Sequence, residues 1–413
     1  MLTTLTIQDL RGYGSLEARF GPGPQLVWGP NAAGKTSLLE AIVLLAWGHS
    51  HRTTADSELI RWGAELARIE GTLHTGADAA HDRPSGGDQV VEVALVRSGS
   101  GSRRRIRVNG VPRRTAALPG VLRAVIFAPE EMLLVVGGPG LRRAALDRLA
   151  TQAAPAYGSN LATYQRALQQ RNALLRAIRE EAAGREQLRY WDATIVQAGG
   201  AIVAERLRLL DALREPLARA HAEIAPDEGG GSGLGLRYLT NAPSRDGEPP
   251  ADALARRLAE TADKEVWNGA TLVGPHRDDL AFELDGRELA GYASRGQQRT
   301  AILAFKLAEL DVLTTLDGRP PLLLLDDVFS ELDPDRRAHL VRRIADLPQA
   351  FVTTTTPDDL DPELLARATG WQVVPAGEGA PARLAGPTAP EPSGAPPSDR
   401  GAAGRRASPV ETR

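Results

Sequence analysis

The segment Gly29-Pro30-Asn31-Ala32-Ala33-Gly34-Lys35-Thr36 constrains this chain more than any other. It matches the phosphate-binding pattern G-x-x-x-x-G-K-[ST], which functions only between a strand and a helix. Both neighbours are legible: Gln25 to Trp28 forms a short apolar strand, and Leu38, Leu39, Ala41, Ile42 and Leu45 recur at helical spacing after Lys35. Glycines let backbone N–H groups turn inward around phosphate oxygens, and the helix N-terminus adds positive potential. Lys35 is then placed to reach the β- and γ-phosphates, and the Thr36 hydroxyl to ligate Mg²⁺. Lysine is scarce here, at three of 49 basic residues (Lys35, Lys264 and Lys306), so a lysine inside a motif carries weight.

Leu322-Leu323-Leu324-Leu325-Asp326-Asp327 is a Walker B strand ending in two carboxylates. A buried strand puts Asp326 at its tip, where it holds the Mg²⁺ shell, and leaves Asp327 to polarise the attacking water as the catalytic candidate. A D-loop-like stretch, Ser330-Glu331-Leu332-Asp333, follows. Ahead of this strand, Ser294-Arg295-Gly296-Gln297-Gln298 opens a helix and resembles the Ser-Gly-Gly-Gln signature loop of ABC-type ATPases. In those proteins the serine and loop amides contact the γ-phosphate bound to the opposite subunit. Ser294, Gly296 and Gln297 therefore join the cofactor-binding candidates Gly29, Pro30, Asn31, Ala32, Ala33, Gly34, Lys35 and Thr36, with Thr36 and Asp326 as the metal pair.

Strand alternation at Leu2, Leu5 and Ile7 opens the chain, and residues 65–115 read as antiparallel strands with a turn at Asn109-Gly110. Helical character runs from about Leu141 to Trp267. Leu161, Tyr164, Leu168, Leu175 and Ile178 share one face at heptad spacing, and Val196, Val203, Leu207, Leu210 and Leu217 another. After Trp267 short apolar strands alternate with helices, the mark of a mainly parallel sheet. From Pro375 the composition turns to Pro, Ala, Gly and Ser and predicts disorder. The expected fold is α/β: an ABC-type P-loop ATPase head lobe (1–140 and 268–374), an inserted, mainly helical second lobe (141–267) and a disordered C-terminal tail (375–413).

Composition narrows the classes further. With no cysteine among 413 residues, a disulfide scaffold, zinc finger, iron–sulfur cluster or thiol nucleophile is excluded. The longest apolar run, Ala41 to Trp47, is far too short for a membrane helix, and no secretory signal is visible, so a cytoplasmic protein without membrane contact is expected. A net charge of −3 lacks the excess of a nucleic-acid coat, so DNA contacts must be gathered in local patches.

Beyond the ATPase motifs the sequence resembles the RecF family of bacterial DNA replication and repair proteins, whose heads are related to SMC and Rad50 ATPases. Gly29 to Ile42, Phe127-Ala128-Pro129-Glu130, Gly138-Pro-Gly-Leu-Arg142-Arg143 with Leu146-Asp147, Gly274-Pro-His-Arg-Asp278-Asp279, Tyr292 to Arg299 and Leu323 to Asp333 carry the resemblance. Two departures stand out: Ala occupies Ala32 and Ala33 where the family often has Gly and Gln, and threonines (Thr353 to Thr356) occupy the switch position held by histidine in transporter ATPases. The resemblance implies ATP-dependent homodimerisation, slow, DNA-stimulated hydrolysis acting as a switch, and binding to single- or double-stranded DNA. It also implies work with RecR, and RecO in the same pathway, to load the recombinase at gaps, maintain replication forks and support SOS induction. The alternatives are a short SMC-like architectural ATPase and a soluble ATPase subunit of a transporter. A transporter subunit places its signature much closer behind the P-loop, and the helical insert is too short for long SMC arms.

Other polar groups remain open in the sequence. His276, Arg277 and Asp278 belong either to the nucleotide or dimer surface or to a structural hydrogen-bond network. His49 and His51 flank Ser50 without the carboxylates a metal site would need. Arg52 and Arg61 follow the first helix and are candidates to approach nucleotide. Two arginine-rich stretches, Arg103-Arg104-Arg105 with Arg107, Arg113 and Arg114, and Arg166, Arg171, Arg176 and Arg179, are each either a DNA contact or a solvated face.

Overall fold

The computed structural model describes residues 1–74, 87–99, 101–228, 233–377 and 380–388. Alternation drives the first layer. Leu5 and Ile7 of β1 (Leu2–Leu10) are buried at alternating positions, and Leu2 and Leu10 are buried as well beyond a register shift at Leu2/Thr4 and the left-handed Asp9 (φ 47°). This strand is flanked by β2 (Tyr13–Arg19) and β4 (Leu66–His74), and β5 (Asp88–Ser98), β6 (Gly101–Val108) and β7 (Val111–Arg113) complete a six-stranded antiparallel sheet in the order β2-β1-β4-β5-β6-β7.

The second sheet has the order β15-β14-β3-β13-β12-β8, made of β3 (Gly23–Trp28), β8 (Ala124–Phe127), β12 (Leu322–Asp326), β13 (Gln349–Thr354), β14 (Thr369–Val374) and β15 (Arg383–Thr388). All neighbours pair in parallel except β15, which runs antiparallel to β14. Regular structure thus continues past Pro375, where composition predicted none, because β15 finds backbone partners on β14. The rest of the expected tail, 389–413, lies outside the described residues.

Helix α1 (Lys35–Trp47) is sandwiched between these sheets, with 11 of its 13 residues buried, so it reads as apolar nearly all round. Leu322 and Leu324 of β12 face the α1 core, while Leu323 and Leu325 face a second core built on α7 (Arg295–Thr315). That second core merges with the helical lobe: α2 (Leu133–Val136), α3 (Pro139–Ala153), α4 (Tyr157–Arg179), α5 (Leu188–Ile224) and α6 (Pro250–Asn268). The helical region also contains a strand, β9 (Leu234–Leu239), which pairs with β10 (Asp279–Leu284) and with β11 (Arg287–Glu288) forms a three-stranded sheet. Helices α8 (Pro334–Ala345) and α9 (Pro362–Arg367) follow the Walker B strand.

The first heptad face is confirmed at Tyr164, Leu175 and Ile178, which are buried. The second is displaced. Helix α5 buries Ile195, Ala198, Ile202, Leu209, Leu213 and Leu217, while Leu207 is 42% exposed. The helix carries two neighbouring apolar stripes, and packing against α4, α6 and α7 rather than periodicity selects between them.

Candidate nucleotide-binding site

The topology brings the two halves of the nucleotide motif together. β13 lies between β3 and β12, so the P-loop and Asp326 emerge from the same C-terminal edge of the parallel sheet, one strand apart. Gly34 caps α1 with a left-handed φ of 115°. Gly29 has φ 153°, and a Cβ there would sit 2.5 Å from the Val373 carbonyl oxygen, which forbids a side chain. Ala32 adopts a left-handed φ of 61°, a conformation that costs about 1 kcal/mol outside glycine. The Tyr13 hydroxyl secures the loop from β2 by donating to the Gly34 carbonyl at 3.1 Å.

Lys35 folds back over this loop, its Nζ donating to the carbonyls of Gly29 (2.7 Å) and Pro30 (3.1 Å). Burial lowers its pKa, while Asp327 and Asp326 act in the opposite direction. The Thr36 hydroxyl donates to Asp326 Oδ1 at 3.1 Å, and the Thr353 hydroxyl donates to the same oxygen at 2.7 Å. Thr353 also accepts the backbone N–H of Asp327 at 3.0 Å. Asp327 itself sits at φ 54°, its carbonyl accepting from the Ser330 hydroxyl at 2.9 Å. Burial raises the Asp327 pKa, and neighbouring Asp326 adds to the rise.

Thr36 and Asp326 offer hard oxygen donors a few ångströms apart, the chemistry Mg²⁺ takes. Among the described residues no group of three His, Cys, Asp or Glu side chains forms a metal cage. The pair therefore suits an ion that shares its shell with phosphate and water rather than a self-contained protein site.

The signature turn is built differently. Ser294 caps α7 through a reciprocal box: its hydroxyl accepts from Gln297 N–H at 3.2 Å, and Gln297 Oε1 accepts from Ser294 N–H at 3.0 Å. Gln298 Nε2 donates to Ala293 O at 3.0 Å, and a Cβ on Gly296 would meet only Ser294 Oγ, at 3.7 Å. Ser294 is exposed, and among the described residues no hydrogen bond or ion pair joins Ser294, Gly296 or Gln297 to the P-loop. The D-loop-like stretch ends at Asp333, which caps α8.

Thr353 is a candidate-site residue to which motif reading gave no role. It appeared only as a departure at the switch position, yet it joins both Walker B aspartates. Arg52 lies 3.9 Å from buried Glu40 and 3.7 Å from Glu130, and Arg61 is 3.4 Å from Asp9. His51 buries both ring nitrogens without a hydrogen-bond partner among the described residues, in the electrostatic reach of Glu40, Glu130 and Asp326.

Of the His276-Arg277-Asp278 cluster, His276 and Asp278 enter a hydrogen-bond network, while Arg277 is exposed and donates to the Thr271 carbonyl at 3.4 Å. His276 Nδ1 accepts from the Tyr164 hydroxyl at 2.6 Å, so Nε2 carries the proton toward Thr271 O at 3.2 Å. Tyr238 OH donates to Asp278 at 2.6 Å and accepts from Arg206, which also reaches Asp147, Tyr157 and the Pro275 carbonyl. The two basic stretches also part company. Arg103, Arg105 and Arg107 share the exposed face of β6, with Glu92 4.0 Å from Arg107, whereas Arg104 pairs with Asp56. Arg171 is 2% exposed and pairs with Glu265 at 2.8 Å and Asp192 at 2.7 Å, which removes it from the α4 patch.

A P-loop and Walker B strand at one sheet edge, an antiparallel sheet over α1 and a capped signature helix arriving through a helical lobe define an ABC-type ATPase head. The family description "RecF/RecN/SMC N terminal domain" matches residues 1–363. The DNA replication and repair protein RecF of Symbiobacterium thermophilum is 38% identical over 366 residues, covering 87% of this chain and 92% of that protein. That of Chloroflexus aurantiacus is 38% identical over 384 residues, covering 89% and 97%. The chain belongs to the RecF family. A solved structure of the recombination mediator protein RecF with ATP, from the RecFOR pathway, superposes with a TM-score of 0.79 at 30% identity, covering 90% of this chain and 95% of that one. The Smc head of Pyrococcus furiosus shares the fold alone, at TM-score 0.51 and 15% identity. No helix among the described residues is long and apolar enough to cross a membrane.

Proposed function

We propose that this chain is an ATP-dependent DNA-binding protein of recombinational gap repair and replication-fork maintenance in the cytoplasm. It acts with RecR, and RecO in the same pathway, to help load the recombinase on single-stranded gaps and to support SOS induction. The observation that carries the reading is the unequal completion of its nucleotide site. The P-loop and Walker B residues are assembled within the chain, whereas the Ser294 turn faces solvent. Two copies then sandwich two ATP molecules, each site combining Lys35, Thr36, Asp326 and Asp327 of one copy with Ser294, Gly296 and Gln297 of the other.

In that arrangement Lys35 exchanges the loop carbonyls for phosphate oxygens. Thr36 and Asp326 would hold Mg²⁺, which would supply neutralisation of the phosphate charge. Asp327 takes the proton of the attacking water, held in place by the Thr353 bond to its backbone N–H. Hydrolysis would be slow and DNA-stimulated, and would act as a switch. On the DNA side, Arg103, Arg105 and Arg107 suit backbone phosphates rather than base edges. Replacing all three with Ala should lower the log–log salt slope of DNA binding by roughly two to three units while ATP binding persists.

Gel-shift on gapped duplex DNA, with and without ATP, tests the whole. ATP should tighten binding to gapped DNA, and Lys35→Ala should abolish the increment. Binding indifferent to ATP would refute the reading.

A further inference from the structure

Lys306, one of the three lysines, is 3% exposed on α7. Its ammonium lies 2.7 Å from Glu131 Oε2 and 3.2 Å from both carboxylate oxygens of Glu309, one turn further along the helix. Glu131 belongs to another part of the molecule. It sits in the turn Pro129–Met132 that follows β8, and β8 pairs Phe127 with Leu325, so this turn leaves the sheet beside Asp326. Arg148 of α3 donates to the other Glu131 oxygen at 2.6 Å and lies over the Trp47 ring at the end of α1. His51 stands within electrostatic reach of both Glu131 and Asp326.

The choice of lysine is informative in a chain whose other cations are nearly all arginine. A guanidinium is a planar fork, whereas an ammonium is a compact charge with three donors that can approach three oxygens from different directions. Around it, α7 is apolar: Ile302, Leu303, Phe305, Leu307 and Leu310 are all buried. Apolar packing is non-directional and tolerates sliding. A buried ion pair adds little net stability after desolvation, and its best-attested use is to fix register. The triad therefore pins α7, and with it the Ser294 turn at its N-terminus, to the sheet edge that carries Asp326.

We infer that Lys306 is a positioning residue for ATP turnover, setting where its own copy's signature turn meets the nucleotide held by the second copy. This rests on the two-copy reading above.

Mixed dimers test it. Pairing a Ser294→Arg copy with a Lys35→Ala copy leaves one intact site, made from the P-loop of the first and the signature of the second. Hydrolysis by this mixture is the control, and its absence overturns the two-copy site and this inference with it. Lys306→Met is then added to either copy. In the Lys35→Ala copy it should cut turnover by roughly 10²-fold, the scale of an ångström-level misplacement. In the Ser294→Arg copy, whose signature is already lost, turnover should stay at the control level. Equal losses in both arrangements would mean a folding defect only and overturn the inference, as would a loss confined to the Ser294→Arg copy. Should Lys306→Met fail to fold, Lys306→Arg keeps the charge, lacks the three-way fit, and carries the same test with the same two refuting outcomes.

Discussion

The P-loop and the signature turn are both glycine-containing approaches to a helix N-terminus, yet they are finished to different degrees. The P-loop is tied down from three directions: Lys35 on its own carbonyls, Tyr13 on Gly34, and Thr36 on Asp326. The signature turn is held by nearby bonds: the Ser294–Gln297 box, Gln298 on Ala293, the Ala293 N–H on the Leu289 carbonyl and the Tyr292 hydroxyl on the Leu284 carbonyl. A turn that satisfies its helix end locally and leaves its hydroxyl at the surface is ready to be shared. The difference teaches that one motif is closed by bonds within the chain, while the serine proposed to serve a second copy stays exposed.

The largest effect should come from the closed motif. Asp327→Asn keeps a hydrogen-bonding group but polarises water poorly, so hydrolysis should fall roughly 10²–10⁴-fold while ATP-dependent association persists. Asp326→Asn should instead weaken Mg²⁺-dependent nucleotide binding, because Thr36 and Thr353 both converge on that carboxylate. Equal nucleotide affinity in the two variants, measured by titration calorimetry, would erase the division between them.

Next comes the lobe that delivers the exposed motif. Arg206 is 2% exposed and pairs with Asp147 at 2.7 Å. Arg206→Met leaves the Asp147 carboxylate without its cation but with the Tyr157 hydroxyl, and should cost about 2–3 kcal/mol in denaturant unfolding, while P-loop affinity for nucleotide holds. A change confined to about 0.5 kcal/mol would show that the network does not support the lobe.

A pH effect should follow in the same lobe. Burial lowers the His276 pKa from 6.5 to about 4. The unfolded chain takes up the proton first, so stability is fully present above about pH 6.5 and is lost as pH falls toward about 4. His276→Gln should flatten that part of the stability curve. An unchanged acid limb would leave another group responsible.

The smallest stability effect belongs to the signature turn. Ser294→Ala removes the cap and should cost about 1 kcal/mol, whereas Ser294→Gly should cost only a few tenths. Both lack the hydroxyl that the second copy's nucleotide would meet. Turnover should fall in both while thermal stability falls mainly in Ala, which separates capping from catalysis. Retained turnover in the Gly variant would make the serine a cap and nothing more.

The nucleotide motifs were legible because each is contiguous and its chemistry is written into neighbouring residues. Gly29 to Thr36 names its own strand, turn and helix, and Leu322 to Asp327 names a buried strand and its acidic tip. Thr353 was not legible as a bridge, since its role exists only once β13 lies between β3 and β12. Arg171 looked like its exposed neighbours until Glu265 arrived from another helix. In α5 the apolar residues fill two adjacent stripes, so spacing alone did not say which one faces α4, α6 and α7.

What the sequence determined by itself was local: the phosphate loop, the acidic strand end, the helix that opens at the Ser294 motif and the α/β alternation. Each depends on residues close enough in the chain to impose their geometry on one another. Tertiary structure alone decided which buried charges meet, as Lys306 with Glu131 and Arg206 with Asp147. It also decided that β9 joins β10, and that β15 extends the sheet past the point where composition predicted order to end. Those outcomes turn on partners distant in the chain, chosen by pairing register and by the cost of burying an unpaired charge.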